Sequence, residues 1–82
     1  MPEIYDNRGN TYYRLGKLEK ALEDFAHAIQ INPQHANAYA NRANVYYNEG
    51  QLQSTLQDYR KAAQLDPANA KFVANYSNIL LE

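Results

Sequence analysis

The sequence predicts an all-helical protein, a stack of antiparallel helix hairpins, on three observations. One pattern is written almost twice. Tyr5, Asn7, Arg8, Asn10 and the pair Tyr12–Tyr13 return as Tyr39, Asn41, Arg42, Asn44 and Tyr46–Tyr47. Gly16, Leu18, Leu22, Asp24, Ala28 and Pro33 return as Gly50, Leu52, Leu56, Asp58, Ala62 and Pro67. The offset is roughly 34 residues, the length of a two-helix structural repeat. Within each copy, apolar residues recur at three- and four-residue steps, the period of a helix. Finally, glycine and proline fall at matching places between those runs, and nothing reads as a strand, a linker or a low-complexity segment.

The elements follow in order. After a short lead-in, Pro2 suits the first turn of a helix, where its missing N–H costs nothing. From about Glu3 to Leu15, the residues Tyr5, Arg8, Gly9, Tyr12 and Leu15 form one stripe. Gly16 stops this helix, because glycine adopts the left-handed terminal conformation easily. Leu18 to Ile31 is a second helix with Leu18, Ala21, Leu22, Phe25, Ala28 and Ile29 facing inward. Asn32-Pro33 ends it, since the residue before a proline resists helical geometry. The cycle repeats with Asn37 to Glu49, Gly50, Leu52 to Leu65 and Asp66-Pro67. A fifth helix, Ala70 to Leu81, starts after Asn69 as N-cap. Connections this short make successive helices antiparallel. The whole of residues 1–82 is one domain, with repeat units at about 2–35 and 36–69 and a partial or capping unit at 70–82.

Composition narrows the function. A chain this short holds one domain. Its formal net charge is −1, without a long run of one sign. That argues against nucleic acid, which needs a clustered basic face. The absence of cysteine removes disulfides, thiolate metal sites and thiol redox chemistry. No apolar run could span a bilayer and MPEIYDNRGN has no apolar signal core, so no membrane partner is expected and the cytoplasm is the expected location. His27 and His35 lie on different units and are expected at the surface. No set of His, Asp or Glu has metal-ligand spacing, no glycine-rich loop could cradle a phosphate, and no serine has a histidine base. Neither a cofactor nor enzymatic activity is expected.

At the repeated positions the chain resembles the tetratricopeptide repeat (TPR) family. The first unit supplies Tyr5, Gly9, Tyr12, Gly16, Ala21, Phe25, Ala28 and Pro33 to the family pattern, and the second supplies Tyr39, Ala43, Tyr46, Gly50, Tyr59, Ala62 and Pro67. The resemblance implies a right-handed solenoid of about five helices that acts in protein–protein interaction. Small residues at Gly9 or Ala43 and at Ala21, Ala28 or Ala62 would let helices approach closely, while aromatics fill the space between units. Tyr5, Tyr12, Tyr39, Tyr46 and Tyr59 are expected in the core. Three departures stand out: Arg8 and Arg42 replace leucine, Thr55 replaces a small alanine, and Val73, Tyr76 and Ser77 alter the third unit. A half-buried arginine is costly unless a carboxylate meets it. Ion pairs Arg8–Asp24 and Arg42–Asp58 are therefore expected, with Arg42 also in range of Asp24 across the units.

The resemblance also implies that the first helix of each unit lines a concave groove. Two asparagine series recur there, Asn7, Asn41, Asn75 and Asn10, Asn44, Asn78. An amide both donates and accepts, so a column of them can hold a peptide backbone. The first series is similar to the asparagine ladder in the repeat domain of the O-linked N-acetylglucosamine transferase. The second overlaps the family's carboxylate clamp, whose positions here are Asp6, Asn10, Asn41, Lys71 and Asn75. Asp6 in place of a lysine opposes a carboxylate, and Asn75 in place of an arginine lacks the bidentate fork. Tyr13 and Tyr47, one turn beyond Asn10 and Asn44, are expected as apolar contacts. Lys71 and Arg14 favour an acidic ligand; Glu3 and Asp6 oppose one. The expected site is therefore Asn7, Asn10, Tyr13, Asn41, Asn44, Tyr47, Lys71, Asn75 and Asn78, and the expected partner is a protein or peptide. Two rival functions are homo-oligomer assembly through the apolar Ile79-Leu80-Leu81 end and a regulatory or substrate-presenting segment of a larger enzyme.

Overall fold

The computed structural model describes residues 2–81, the side chain of Leu81 excepted; Met1, Glu82 and that part of the apolar C-terminal end lie outside the described residues. The helices are α1 (Pro2–Arg14), α2 (Leu18–Ile31), α3 (Ala36–Asn48), α4 (Leu52–Leu65) and α5 (Ala70–Leu81). No strand occurs among the described residues. Both glycine stops close as expected. Gly16 and Gly50 have φ of +79° and +76°. Lys17 N–H donates to the Tyr12 carbonyl at 2.8 Å and Gly16 N–H to that of Tyr13 at 3.1 Å. Gln51 and Gly50 repeat this on Tyr46 and Tyr47, at 2.9 and 3.1 Å. This paired closure satisfies carbonyls that the helix end would otherwise orphan. It also places Leu15 and Glu49 in the caps, one residue outside the helices expected from periodicity. Asn32 ends α2 in extended backbone, at φ −141° and ψ 96°, and Asp66 ends α4 at φ −137° and ψ 73°; both have left the helical region that a following proline disfavours. Asn69 caps α5 as expected: its Oδ1 accepts from Lys71 N–H at 3.0 Å.

Helix α1 packs along α2, and α3 along α4; α2 then meets α3, and α4 meets α5, while α1 also touches α3. Two clusters fill the seams. Ala21, Phe25 and Val45 form the first, flanked by Tyr12, Tyr13, Leu18 and Leu22. Ala40, Ala43, Tyr59, Ala62 and Phe72 form the second. The close approach expected at Gly9 is real, for a Cβ there would lie 2.6 Å from Phe25 Cε1. Thr55 is fully buried at its alanine-like position. Its hydroxyl donates to the Gln51 carbonyl at 2.8 Å, so no polar group is orphaned in the seam.

Both expected ion pairs form, and both are bidentate. Arg8 Nε and Nη2 donate to Asp24 at 2.8 and 2.7 Å, and Arg42 does the same to Asp58 at 2.7 and 2.9 Å. The aspartate side chains are only 3 % and 8 % exposed. Each fork closes within its own unit, Arg42 on Asp58 rather than across to Asp24. The tyrosines around them correct the core expectation. Tyr59 is buried, but Tyr5, Tyr12, Tyr39 and Tyr46 are half-buried. They flank the guanidinium groups of Arg8 and Arg42 at 5.7 to 5.9 Å. An arginine at a leucine position pulls the rings three residues before and four after it into cation–π contact at the edge of the seam.

Candidate functional site

Helices α1, α3 and α5 contribute most of the lining of two adjoining concavities. On a helix, residues three or four apart share a face, so Asp6, Asn7 and Asn10 present together from α1. With Glu3 they meet His35, Asn37 and Asn41 around a hollow of about 300 Å³. The second, of about 280 Å³, continues from Asn37 and Asn41 to Asn44 on α3, with Tyr59 below. Its far wall is Asn69, Lys71, Phe72 and Asn75. Asn37 and Asn41 line both hollows, which makes them one stepped groove.

Six of the residues expected at the site therefore come together: Asn7, Asn10, Asn41, Asn44, Lys71 and Asn75. Tyr13, Tyr47 and Asn78 are not among the lining residues. Tyr13 packs on the Phe25 cluster, and its hydroxyl accepts from Asn48 Nδ2 of the next unit. Tyr47 is 42 % exposed on α3. Asn78 is exposed on α5. Tyr59 does double duty: its ring fills the second cluster while its hydroxyl donates to Asn44 Oδ1. Burial, with Tyr13 and Tyr47 nearby, pushes that hydroxyl above its ordinary pKa, so it stays a donor at neutral pH.

The main residue pair that sequence reasoning missed is Asp6–His35. His35 is not a surface residue; its side chain is 16 % exposed, and its Nε2 meets Asp6 Oδ2. The contact joins α1 to the residue that precedes α3, residues far apart in sequence. No periodicity could connect them, although the one-turn step from Asp6 to Asn10 places Asp6 on the groove face. Asp6 itself is only 6 % exposed, and its Oδ1 is buried without a hydrogen-bond partner. Burial raises the Asp6 pKa above the usual 3.8, opposed by the His35 hydrogen bond and charge and reinforced by Glu3. The other histidine, His27, is exposed and stacks on Tyr5 with centroids 5.2 Å apart. The groove is thus polarised, with carboxylates of Glu3 and Asp6 in the first hollow and the Lys71 ammonium in the second. Among the described residues no three His, Cys, Asp or Glu converge to hold a metal ion, and no helix is long and apolar enough to cross a membrane.

Family comparison agrees with this architecture. A model described as TPR repeat matches residues 9–50, and one described as Tetratricopeptide repeat matches 36–69. The chain belongs to the tetratricopeptide repeat family. Among solved structures it is similar to the first TPR of Spaghetti (RPAP3) bound to HSP90 peptide SRMEEVD. The TM-score is 0.91 at 26 % identity, over 99 % of this chain and 64 % of that one. The second TPR of the same protein, bound to the same peptide, matches with TM-score 0.91 and 26 % identity over 98 % of this chain and 74 % of that one. This TPR chain thus spans less than two thirds of the first of those structures. No curated protein sequence matches it significantly.

Proposed function

We propose that this TPR chain is a protein–protein interaction module that holds an extended segment of a partner in the groove of α1, α3 and α5. The observation that carries the reading is the convergence of Asn7, Asn10, Asn41, Asn44, Asn75 and Lys71 on two adjoining hollows. Amides from three helices can pair with successive backbone groups of one extended strand, holding it with little demand on its side chains. Asn44 is pre-set for this role. Its Oδ1 already accepts from Tyr59, which leaves Nδ2 as the donor for a ligand carbonyl.

The similar structures bind an acidic peptide, and this groove departs from an all-anion site. Lys71 and Asn41 suit a carboxylate, but Asp6 occupies a position where the family's clamp has lysine, and Asn75 one where it has arginine. The ligand is accordingly a different peptide from a chaperone tail. A short groove that must order a flexible segment binds it at roughly micromolar affinity or weaker. The test is a peptide-array screen with the native chain and with Asn41→Ala combined with Asn44→Ala. Ligands should lose about tenfold or more in affinity, as expected for two lost hydrogen bonds. Unchanged binding to the folded double variant would rule the groove out.

A second reading is assembly through α5, where Val73 and Leu80 are 46 % and 56 % exposed. Light scattering that shows a monomer at high concentration would remove it.

A further inference from the structure

Helix α5 stands in the third unit where α1 and α3 stand in the first two, and its sequence carries the repeat register forward. Val73, Ser77 and Leu80 take the places of Tyr5, Gly9 and Tyr12 in α1 and of Tyr39, Ala43 and Tyr46 in α3. In those two helices the stripe receives the second helix of the unit. A Cβ at Gly9 would strike the Phe25 ring of α2, and buried Ala43 packs with Tyr59 and Ala62 of α4. Helix α5 seats itself on that second cluster through Phe72, Tyr76 and Ile79. Its neighbouring stripe of Val73, Ser77 and Leu80 is exposed at all three residues.

This slot differs in charge from its two predecessors. Arg8 and Arg42 take their aspartates, Asp24 and Asp58, from the helix that covers them. Tyr76 holds the equivalent place in α5, so a helix lying there has no carboxylate to supply. A second α5 would bring no like charges together on Val73, Tyr76, Ser77 and Leu80. The order of these residues is also self-complementary. Turned end for end about the point between Tyr76 and Ser77, Val73 falls opposite Leu80 and Tyr76 opposite Ser77. The small serine facing a ring repeats the approach of Phe25 to Gly9. A patch that matches itself in this way is what a two-fold interface requires.

Resting on the assembly reading, we infer that a second copy of this chain lays its own α5 antiparallel across Val73, Ser77 and Leu80, in the place that α2 holds on α1. Lys71 and Asn75, which line the groove, lie two residues before Val73 and Ser77, about 200° away around the helix. The pairing therefore leaves both grooves open, and the dimer presents two of them. One helix pair buries less than the roughly 1,600 Å² of a standard stable interface, so the dissociation constant is expected at about 0.1 mM.

Sedimentation equilibrium of the chain from about 10 μM to about 1 mM should show exchange between monomer and dimer. Val73→Glu combined with Leu80→Glu sets like charges opposite each other and should weaken the dimer about tenfold or more. Both side chains are exposed in the single chain, so the fold should persist, as circular dichroism would check. The chain has no cysteine, which lets disulfide trapping read the register. Antiparallel pairing sets position 73 beside position 80 of the other copy. It holds the two copies of position 73 about 10 Å apart along the axis, beyond disulfide reach. In an equal mixture of Val73→Cys and Leu80→Cys chains, the mixed disulfide should exceed either homodisulfide about tenfold, against about twofold for random collision. A monomer throughout the concentration range would remove the assembly reading and the pairing with it. A dimer that survives the double glutamate change, or homodisulfides that match the mixed one, would overturn the pairing and leave assembly by another surface.

Discussion

Residues 2–35 and 36–69 run the same helix pair on different packing. In the first unit, Gly9 lets the Phe25 ring press onto the α1 backbone. In the second, Ala43 takes the place of glycine and Tyr59 that of phenylalanine. The added hydroxyl reaches Asn44, while no such group exists beneath Asn10. The groove-facing helices differ too, since buried Asp6 in the first unit is buried Ala40 in the second. The arginine forks are alike in geometry but not in setting, with side-chain exposure of 57 % at Arg8 and 24 % at Arg42. The lesson is that the repeat fixes where side chains point, and single substitutions at equivalent positions then set the chemistry of each hollow. One scaffold yields an acidic hollow and a basic one side by side.

The largest break in that comparison should come from exchanging the small residues. Gly9→Ala puts a Cβ into the Phe25 ring and should destabilise the chain by about 2 kcal/mol, beyond any gain in helix propensity. The mirror change Ala43→Gly should cost about 1 kcal/mol through helix propensity, with the loss of a buried methyl group added to it. Phe25→Leu combined with Gly9→Ala should recover part of the loss in a denaturant melt. A Gly9→Ala chain as stable as the native one would mean that the ring moves freely.

Next in size are the helix stops. Gly16 and Gly50 have positive φ, and an added Cβ at either meets nothing within 4 Å. Gly16→Val and Gly50→Val should each cost about 1 kcal/mol or more, from backbone strain alone and equally in the two units. A melting temperature unaltered by either change would show that these turns tolerate another conformation.

The smallest effect sharpens the contrast at Asp6. Its pKa is raised on folding, so the native state holds that proton more tightly than the unfolded chain. The resulting stabilisation is complete below the usual 3.8 and is lost as pH rises through the raised value. Relative to Asp6→Asn, the native chain should therefore gain melting temperature as pH is lowered towards 3.8, then level off. A native chain that loses melting temperature relative to Asp6→Asn on acidification would contradict the burial of this carboxylate. Ala40, its counterpart, has no charge and adds no such slope.

Much of the helical frame was legible because its signals are local. Gly16, Gly50, Pro33 and Pro67 act through their own backbone angles, and the Arg–Asp pairs follow from one rule, that a carboxylate must meet a guanidinium in a seam. Asn7, Asn10, Asn41 and Asn44 could be placed by helical spacing and repeat offset. Tyr13 could not, since a ring one turn from Asn10 can face the groove or the neighbouring unit, and packing on the Phe25 cluster decided it.

Sequence by itself determined the alternation of helix and stop, the pairing within each unit and the repeated amides, all properties of residues at fixed spacing along one helix or hairpin. Tertiary structure alone decided that His35 closes on Asp6, that one carboxylate oxygen is buried without a partner, and that Tyr59 reaches Asn44. Those contacts depend on the distance and angle between helices, which are set by the size of the side chains between them and are written in no local pattern.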